Sequence, residues 1–140
     1  MDLSIRNQLA GTVVSVTRGE VMAVVKVRLS GGQEVSAAVT AEAVRDLGIA
    51  GGSAVQALVK STEVALATGP VAAISIRNQI PGTVTGMTAG SAMAGVKMDV
   101  EGGATLTAAV TQDAVADLGL TVGSSVVALI KSTEVSLATA

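Results

Sequence analysis

Apolar and polar residues alternate through the first forty positions, and the alternation is interrupted where glycines fall. Leu9 to Thr17 (LAGTVVSVT) and Val21 to Leu29 (VMAVVKVRL) carry β-branched residues in partial alternation around Arg18-Gly19-Glu20, which predicts two strands joined by a turn. Ser30-Gly31-Gly32-Gln33 separates these from a third strand over Glu34 to Val39, so the stretch predicts an antiparallel meander. The period then changes. In AEAVRDLG, following Thr40, the residues Ala43, Val44 and Leu47 share one helical face, Thr40 suits an N-cap and Gly48 a stop. Beyond Gly51-Gly52-Ser53, the runs Ala54 to Val59 and Glu63 to Ala67 predict a fourth and a fifth strand.

The whole pattern is then written a second time. Leu3 to Thr68 aligns without a gap onto Ile74 to Thr139, with about 38 of 66 positions identical. Gly90, Gly102-Gly103, Thr111, Gly119 and Gly123 repeat the punctuation of the first copy. The expected organisation is a first unit over 1–68, a connector Gly69-Pro70-Val71-Ala72-Ala73 over 69–73 and a second unit over 74–140. So short a connector holds the units as a fixed pair. Five strands with one short helix between the third and fourth is the element order of an OB-like Greek-key barrel. The expected fold is therefore mainly all-β, two tandem OB-like five-stranded barrels, each with one short helix.

Composition makes such small units hard to stabilise alone. The chain is 49% hydrophobic but has no Phe, Tyr or Trp, so the core must be built from Val, Leu, Ile, Ala and Met. Further burial by association is expected, in an oligomer with large subunit interfaces. Met22 and Met93, matched inside apolar strands, are expected to pack in the core.

Net charge is −2 with acids and bases scattered, which gives no electrostatic footprint for nucleic acid or an anionic membrane. No signal-like segment opens the chain and no apolar run reaches the length of a membrane span, so the expected location is cytoplasmic. With no Cys and no His, disulfides, thiolate chemistry and the usual ligands of zinc, copper or haem are missing. No residue stands out as nucleophile or general base, so the chain does not read as an enzyme and no catalytic cofactor is expected. Any metal handled here would be held by oxygen, or as an oxyanion.

The copies also show what drift has spared. Arg28/Asp99, Ser30/Glu101 and Arg45/Ala116 changed, whereas SIRNQ, AAVT and KSTEV stayed intact in both. SIRNQ places Ser4, Arg6 and Asn7 around Ile5, and Ser75, Arg77 and Asn78 around Ile76. A hydroxyl, a guanidinium, an amide and free backbone N–H groups suit a tetrahedral anion. The same residues also suit a plainer role, with Arg6 ion-paired to Glu63 or Glu42 and Ser4 ending a strand. KSTEV puts Lys60 and Ser61, with Lys131 and Ser132, where an apolar strand must turn; charge and directed donors coincide there, as they also would in an ordinary ST-turn beside a solvated lysine. Thr40 and Thr111 are helix caps in the simplest case, although a helix N-terminus also favours anions. Gly19 with Val21, and Gly90 with Ala92, sit in hairpin turns whose N–H groups would form a second anion nest where three chains met.

Taken together, S-x-R-N, the following G-T-V, the Gly-Gly hairpin, V-T-x-x-A-V-x-x-L-G and V-x-A-L-[VI]-K-S-T-x-V resemble the molybdate-binding Mop domain of the molbindin family, in its two-domain arrangement. The likeness covers both copies almost end to end. Ile5 and Ile76 replace the alanine of the family's usual SARN, a mild departure where the backbone is what contributes. The resemblance implies an OB-like barrel and six Mop units in a cooperative assembly, reached here as a homotrimer. It also implies several molybdate or tungstate ions at interfaces between units, bound through Ser4, Ile5, Arg6, Asn7, Lys60, Ser61, Ser75, Ile76, Arg77, Asn78, Lys131 and Ser132.

Related Mop pairs end a molybdate-responsive regulator and a transporter ATPase, but this chain has no helix-turn-helix segment and no phosphate-binding loop. The leading expectation is a non-enzymatic buffer for molybdate or tungstate, each anion clasped by SIRN of one unit and KST of a neighbour. The alternatives are a molybdate-sensing module that docks on a transporter or regulator and, from another class, an OB-type nucleic-acid binder, which would need stacking aromatics and a basic groove.

Overall fold

The computed structural model describes residues 2–139; Met1 and Ala140, the outer ends assigned to the two units, lie outside them. In the first repeat, strand β1 (Asn7–Arg18) turns at Gly19 into β2 (Met22–Leu29), which is followed by β3 (Glu34–Thr40). Helix α1 (Ala41–Leu47) begins where Thr40 Oγ1 accepts the Ala43 N–H at 3.0 Å and ends at Gly48, whose φ of 64° is the left-handed stop a side chain would resist. Strand β4 (Ala54–Val59) leads into a 3₁₀ turn at Ser61–Glu63 and the short β5 (Ala65–Ala67). The second repeat follows the same order: β6 (Asn78–Ala89), β7 (Met93–Val100), β8 (Thr105–Thr111), α2 (Gln112–Leu118), β9 (Ser125–Ile130), a 3₁₀ turn at Ser132–Glu134 and β10 (Ser136–Ala138).

Two curled antiparallel sheets of five strands result, as the pattern predicts, but each takes its last strand from the other repeat. Their orders are β10-β4-β1-β2-β3 and β5-β9-β6-β7-β8. Leu137 lies opposite Ala57, and Leu66 opposite Ala128. The 3₁₀ turn after β4 carries the chain off its own sheet edge and onto the neighbour's. Because β5 and β10 are nearly identical in sequence, either pairing satisfies the local pattern equally well.

Within β2 the inward positions are Ala23, Val25, Val27 and Leu29, and within β7 they are Ala94, Val96, Met98 and Val100. Strand side chains alternate between faces. Met22 and Met93 therefore fall on the outer face, 45% and 47% exposed, and the expectation that they pack in the core is corrected. Buried residues of both repeats join in one contiguous apolar cluster, without a single ring. The β2–β3 and β7–β8 hairpins also meet: a Cβ on Gly102 would collide with the backbone of Gly31, and Gln33 Nε2 donates to the Glu101 carbonyl. The Gly-Gly pairs thus serve a close approach between repeats as well as a turn.

Candidate functional site

SIRNQ forms the approach to β1, and its carbonyls are bonded within the block. Arg6 donates from Nε to the Ser4 carbonyl (3.2 Å) and from a terminal nitrogen to that of Leu3 (2.8 Å), while Gln8 Nε2 donates to that of Ile5 (2.9 Å). Arg77 does the same to Ser75 and Ile74 at 3.2 and 2.9 Å, and Gln79 reaches Ile76 at 3.1 Å. No such acceptor is found, among the described residues, for the N–H groups of Ser4, Ile5 and Arg6, or of Ser75, Ile76 and Arg77. Each loop therefore has three successive carbonyls occupied by its own side chains and its donors uncommitted, beside a guanidinium that offers donors only. Arg6 makes no ion pair with Glu63 or Glu42; the one ion pair among the described residues joins Arg28 and Glu34 at the surface, at 3.9 Å.

Asn7 and Asn78 depart from expectation. Both are buried, 2% and 3% exposed. Asn7 donates to the carbonyls of Val59 (3.1 Å) and Thr107 (2.9 Å) and accepts the Thr107 N–H at 2.8 Å. Asn78 bonds the backbone of Ser36 in the same two-way manner, at 2.9 and 2.7 Å. Their side chains hold the outer strand of the opposite repeat, so as side-chain donors to an anion they are corrected; they fix the place where the SIRN loop begins.

KST lies directly alongside. Antiparallel pairing of Asn7 with Val59 and of Asn78 with Ile130 carries Arg6 across from Lys60 and Arg77 across from Lys131. SIRN and KST of the same repeat thus stand together. In the 3₁₀ turn the Glu63 N–H bonds the Lys60 carbonyl at 2.9 Å, leaving the N–H groups of Ser61 and Thr62 at the open end. The hydroxyl oxygens of Ser61 and Ser132 are buried with no hydrogen-bond partner. Each copy thus carries, at the same place, a hydroxyl that the fold itself does not use.

The opposite repeat closes each site. A cleft of about 210 Å³ sets Ile5, Lys60 and Glu63 against Thr133, Glu134 and Ser136. A second, of about 380 Å³, sets Ile76, Thr111, Lys131 and Glu134 against Thr62 and Glu63. Glu63 and Glu134 line both, and with Thr62 and Thr133 they went unassigned in the sequence although they lie in the unchanged KSTEV block. Two carboxylates beside one lysine oppose an anion, whereas the uncommitted amides, the hydroxyls and the neighbouring arginine favour one.

The second set of expected residues lies elsewhere. Thr40 and Thr111 cap their helices through Oγ1, at 3.0 and 3.1 Å, and Thr111 also lines the larger cleft. Gly19 donates its N–H to the Met22 carbonyl at 2.8 Å, and the carbonyls of Val21 and Ala92 accept from Ala41 and Gln112 at 2.8 and 2.9 Å. These hairpin tips, with Gly90, stand at the far ends of β1 and β6 from SIRN.

No helix among the described residues is long and apolar enough to cross a membrane, and no group of His, Cys, Asp and Glu there could hold a metal ion. Comparison with known proteins gives a consistent picture. The TOBE domain family matches residues 3–66 and again 74–137. The molybdenum-pterin-binding protein MopB of Rhodobacter capsulatus is 40% identical over 136 residues, covering 96% of this chain and 50% of MopB. The molybdenum transport protein ModE of Herbaspirillum seropedicae is 37% identical over 139 residues, covering 99% of this chain and 52% of ModE. The chain thus spans about half the length of the curated relatives it matches. A crystal structure of the cytoplasmic molybdate-binding protein ModG with molybdate bound superposes with a TM-score of 0.98 at 40% identity, covering 100% of both chains.

Proposed function

Because this chain belongs to the TOBE domain family, which it carries twice, we propose that it binds molybdate, and tungstate of nearly equal size, as a non-catalytic cytoplasmic store. The observation that carries this reading is the pair of orphaned hydroxyls, Ser61 and Ser132, each beside a loop whose backbone donors are uncommitted. A tetrahedral dianion offers four acceptor oxygens and no donor, and that is the complement of such a wall. Likeness to ModG along its full length supports molybdate over other oxyanions.

In this account the units are 1–68 and 74–140 with 69–73 as connector. The donors are the amides of Ser4, Ile5, Arg6, Ser75, Ile76 and Arg77, the hydroxyls of Ser61 and Ser132, and the charges of Lys60, Lys131 and the two arginines. Sulfate has the same charge and shape but shorter bonds, so size discriminates. Association into a trimer is supported by the outward Val14, Val21, Met22, Val24, Leu47 and Met93, each at least 40% exposed. It would add burial to a core without rings and bring further donors toward clefts that carry two carboxylates. Nucleic acid is not a partner in this account, since net charge is −2 and stacking rings are missing. Calorimetric titration of the full chain with molybdate and with sulfate tests it: molybdate should bind and sulfate bind more weakly. No molybdate binding, or equal affinity for both, overturns it.

A further inference from the structure

The two clefts share seven equivalent positions, to which the larger adds Val64, Ala109, Val110 and Thr111, and the shared positions are not chemically the same. In the first, Ile5, Leu58 and Lys60 face Thr133, Glu134 and Ser136 of the other repeat. In the second, Ile76, Leu129 and Lys131 face Thr62, Glu63 and Ala65. Every pair of equivalent lining positions keeps its residue type except one: Ser136 stands where the other cleft has Ala65. Elsewhere the copies differ at more than a third of their positions, so a single difference within the clefts singles out that position.

The exchanged strands explain how it reaches the site. Ser136 is the first residue of β10 and lies opposite Leu58 on β4, two residues before Lys60; Ala65 is the first residue of β5 and lies opposite Leu129, two residues before Lys131. Residues directly opposite each other on antiparallel strands point to the same face. Ser136 therefore presents its side chain on the face of Leu58, toward the cleft that both line. Its hydroxyl is exposed and makes no hydrogen bond among the described residues, so it is available as a donor. Ala65 offers a methyl group there; Thr111, which lines only the larger cleft, has its Oγ1 engaged as the cap of α2.

We propose that Ser136 makes the chain's two oxyanion sites unequal, giving the first a hydroxyl donor at the shared position where the second has the Ala65 methyl. This rests on the oxyanion reading of the clefts. It assigns a residue contributed by strand exchange to the site of the other repeat. The consequence is stepwise filling: the Lys60 cleft loads at low oxyanion concentration and the Lys131 cleft at higher concentration, which lets one chain respond over a wider range than two identical sites would.

The experiment is molybdate titration calorimetry on the full chain and on two variants, Ser136→Ala and Ala65→Ser. A neutral hydroxyl donating to a charged acceptor changes affinity by roughly tenfold or more. The unaltered chain should show two classes of site separated by about that factor. Ser136→Ala should merge them at the weaker affinity and Ala65→Ser at the tighter one. Because the two variants move the isotherm in opposite directions, a folding defect in either one cannot imitate the pair of results. Molybdate binding with isotherms unchanged by both substitutions overturns the inference and leaves the oxyanion reading standing; no binding by the unaltered chain overturns the reading itself.

Discussion

Asn7 grips Thr107 of the other repeat as one strand grips the next, donating from Nδ2 to its carbonyl at 2.9 Å and accepting its N–H at 2.8 Å. A side-chain amide here completes the edge of β8, and Asn78 does the same for Ser36 on β3. The bond ties the start of each SIRN loop to the opposite sheet, so repeat packing and site geometry depend on the same residue. Replacing Asn7 or Asn78 by alanine should cost about 1–3 kcal/mol, because it strands a partly buried backbone N–H and carbonyl. Urea unfolding monitored by circular dichroism reads that loss, and an unchanged midpoint in both variants would show that these bonds carry no stability.

Gly102 is predicted to tolerate no side chain. Its φ is 90° and an added Cβ would strike Gly31 of the facing hairpin, so Gly102→Ala should destabilise by about 1–3 kcal/mol through strain and forced separation. Gly95→Ala is the control, since nothing lies within 4 Å of its added Cβ and its φ is not positive. Thermal melting should separate the two clearly, and equal melting temperatures would contradict the close contact.

Ser61→Ala and Ser132→Ala should behave unlike ordinary core polar substitutions. Each removes a buried hydroxyl that has no partner, so the free protein should keep its stability or gain slightly, by up to about 1 kcal/mol. Molybdate affinity should fall about tenfold at the altered site. Paired melting and titration measurements check this, and a loss of stability without loss of affinity would assign the serines to the fold instead.

Arg77→Lys is predicted to fail as a replacement. Lysine keeps the charge but lacks the fork that holds the Ser75 and Ile74 carbonyls at 3.2 and 2.9 Å, so the loop amides lose their fixed direction. Titration should show Arg77→Lys weakened nearly as much as Arg77→Ala. Full affinity in the lysine variant would mean that charge alone matters at this position.

The strands, the short helices and their caps were legible because alternation and capping are local properties. Leu9 to Thr17 lies within β1, Ala54 to Val59 is β4 itself, and Thr40 and Thr111 cap as their residue type suggests. Met22 and Met93 misled because apolar type alone does not reveal which face of a strand is inside; the inward phase is set by Ala23, Val25 and Val27. Strand exchange was invisible, since two near-identical repeats satisfy the same pattern whichever sheet receives β5. The block identities pointed to Ser61 and Ser132, whose hydroxyls turn out to be orphaned. They could not separate the roles inside SIRN, because the partner of Asn7 is Thr107, far along the chain, and nothing local announces it.

Diffraction from crystals grown with molybdate, using the anomalous signal of the metal, bears most directly on the claim that SIRN and KST of one repeat form an oxyanion site. Anomalous peaks should lie within hydrogen-bonding reach of the hydroxyl of Ser61 and the amides of Ile5 and Arg6, with a matching peak at Ser132, Ile76 and Arg77. Peaks confined to other surfaces, with the serine hydroxyls still without partners in the bound crystal, would contradict it.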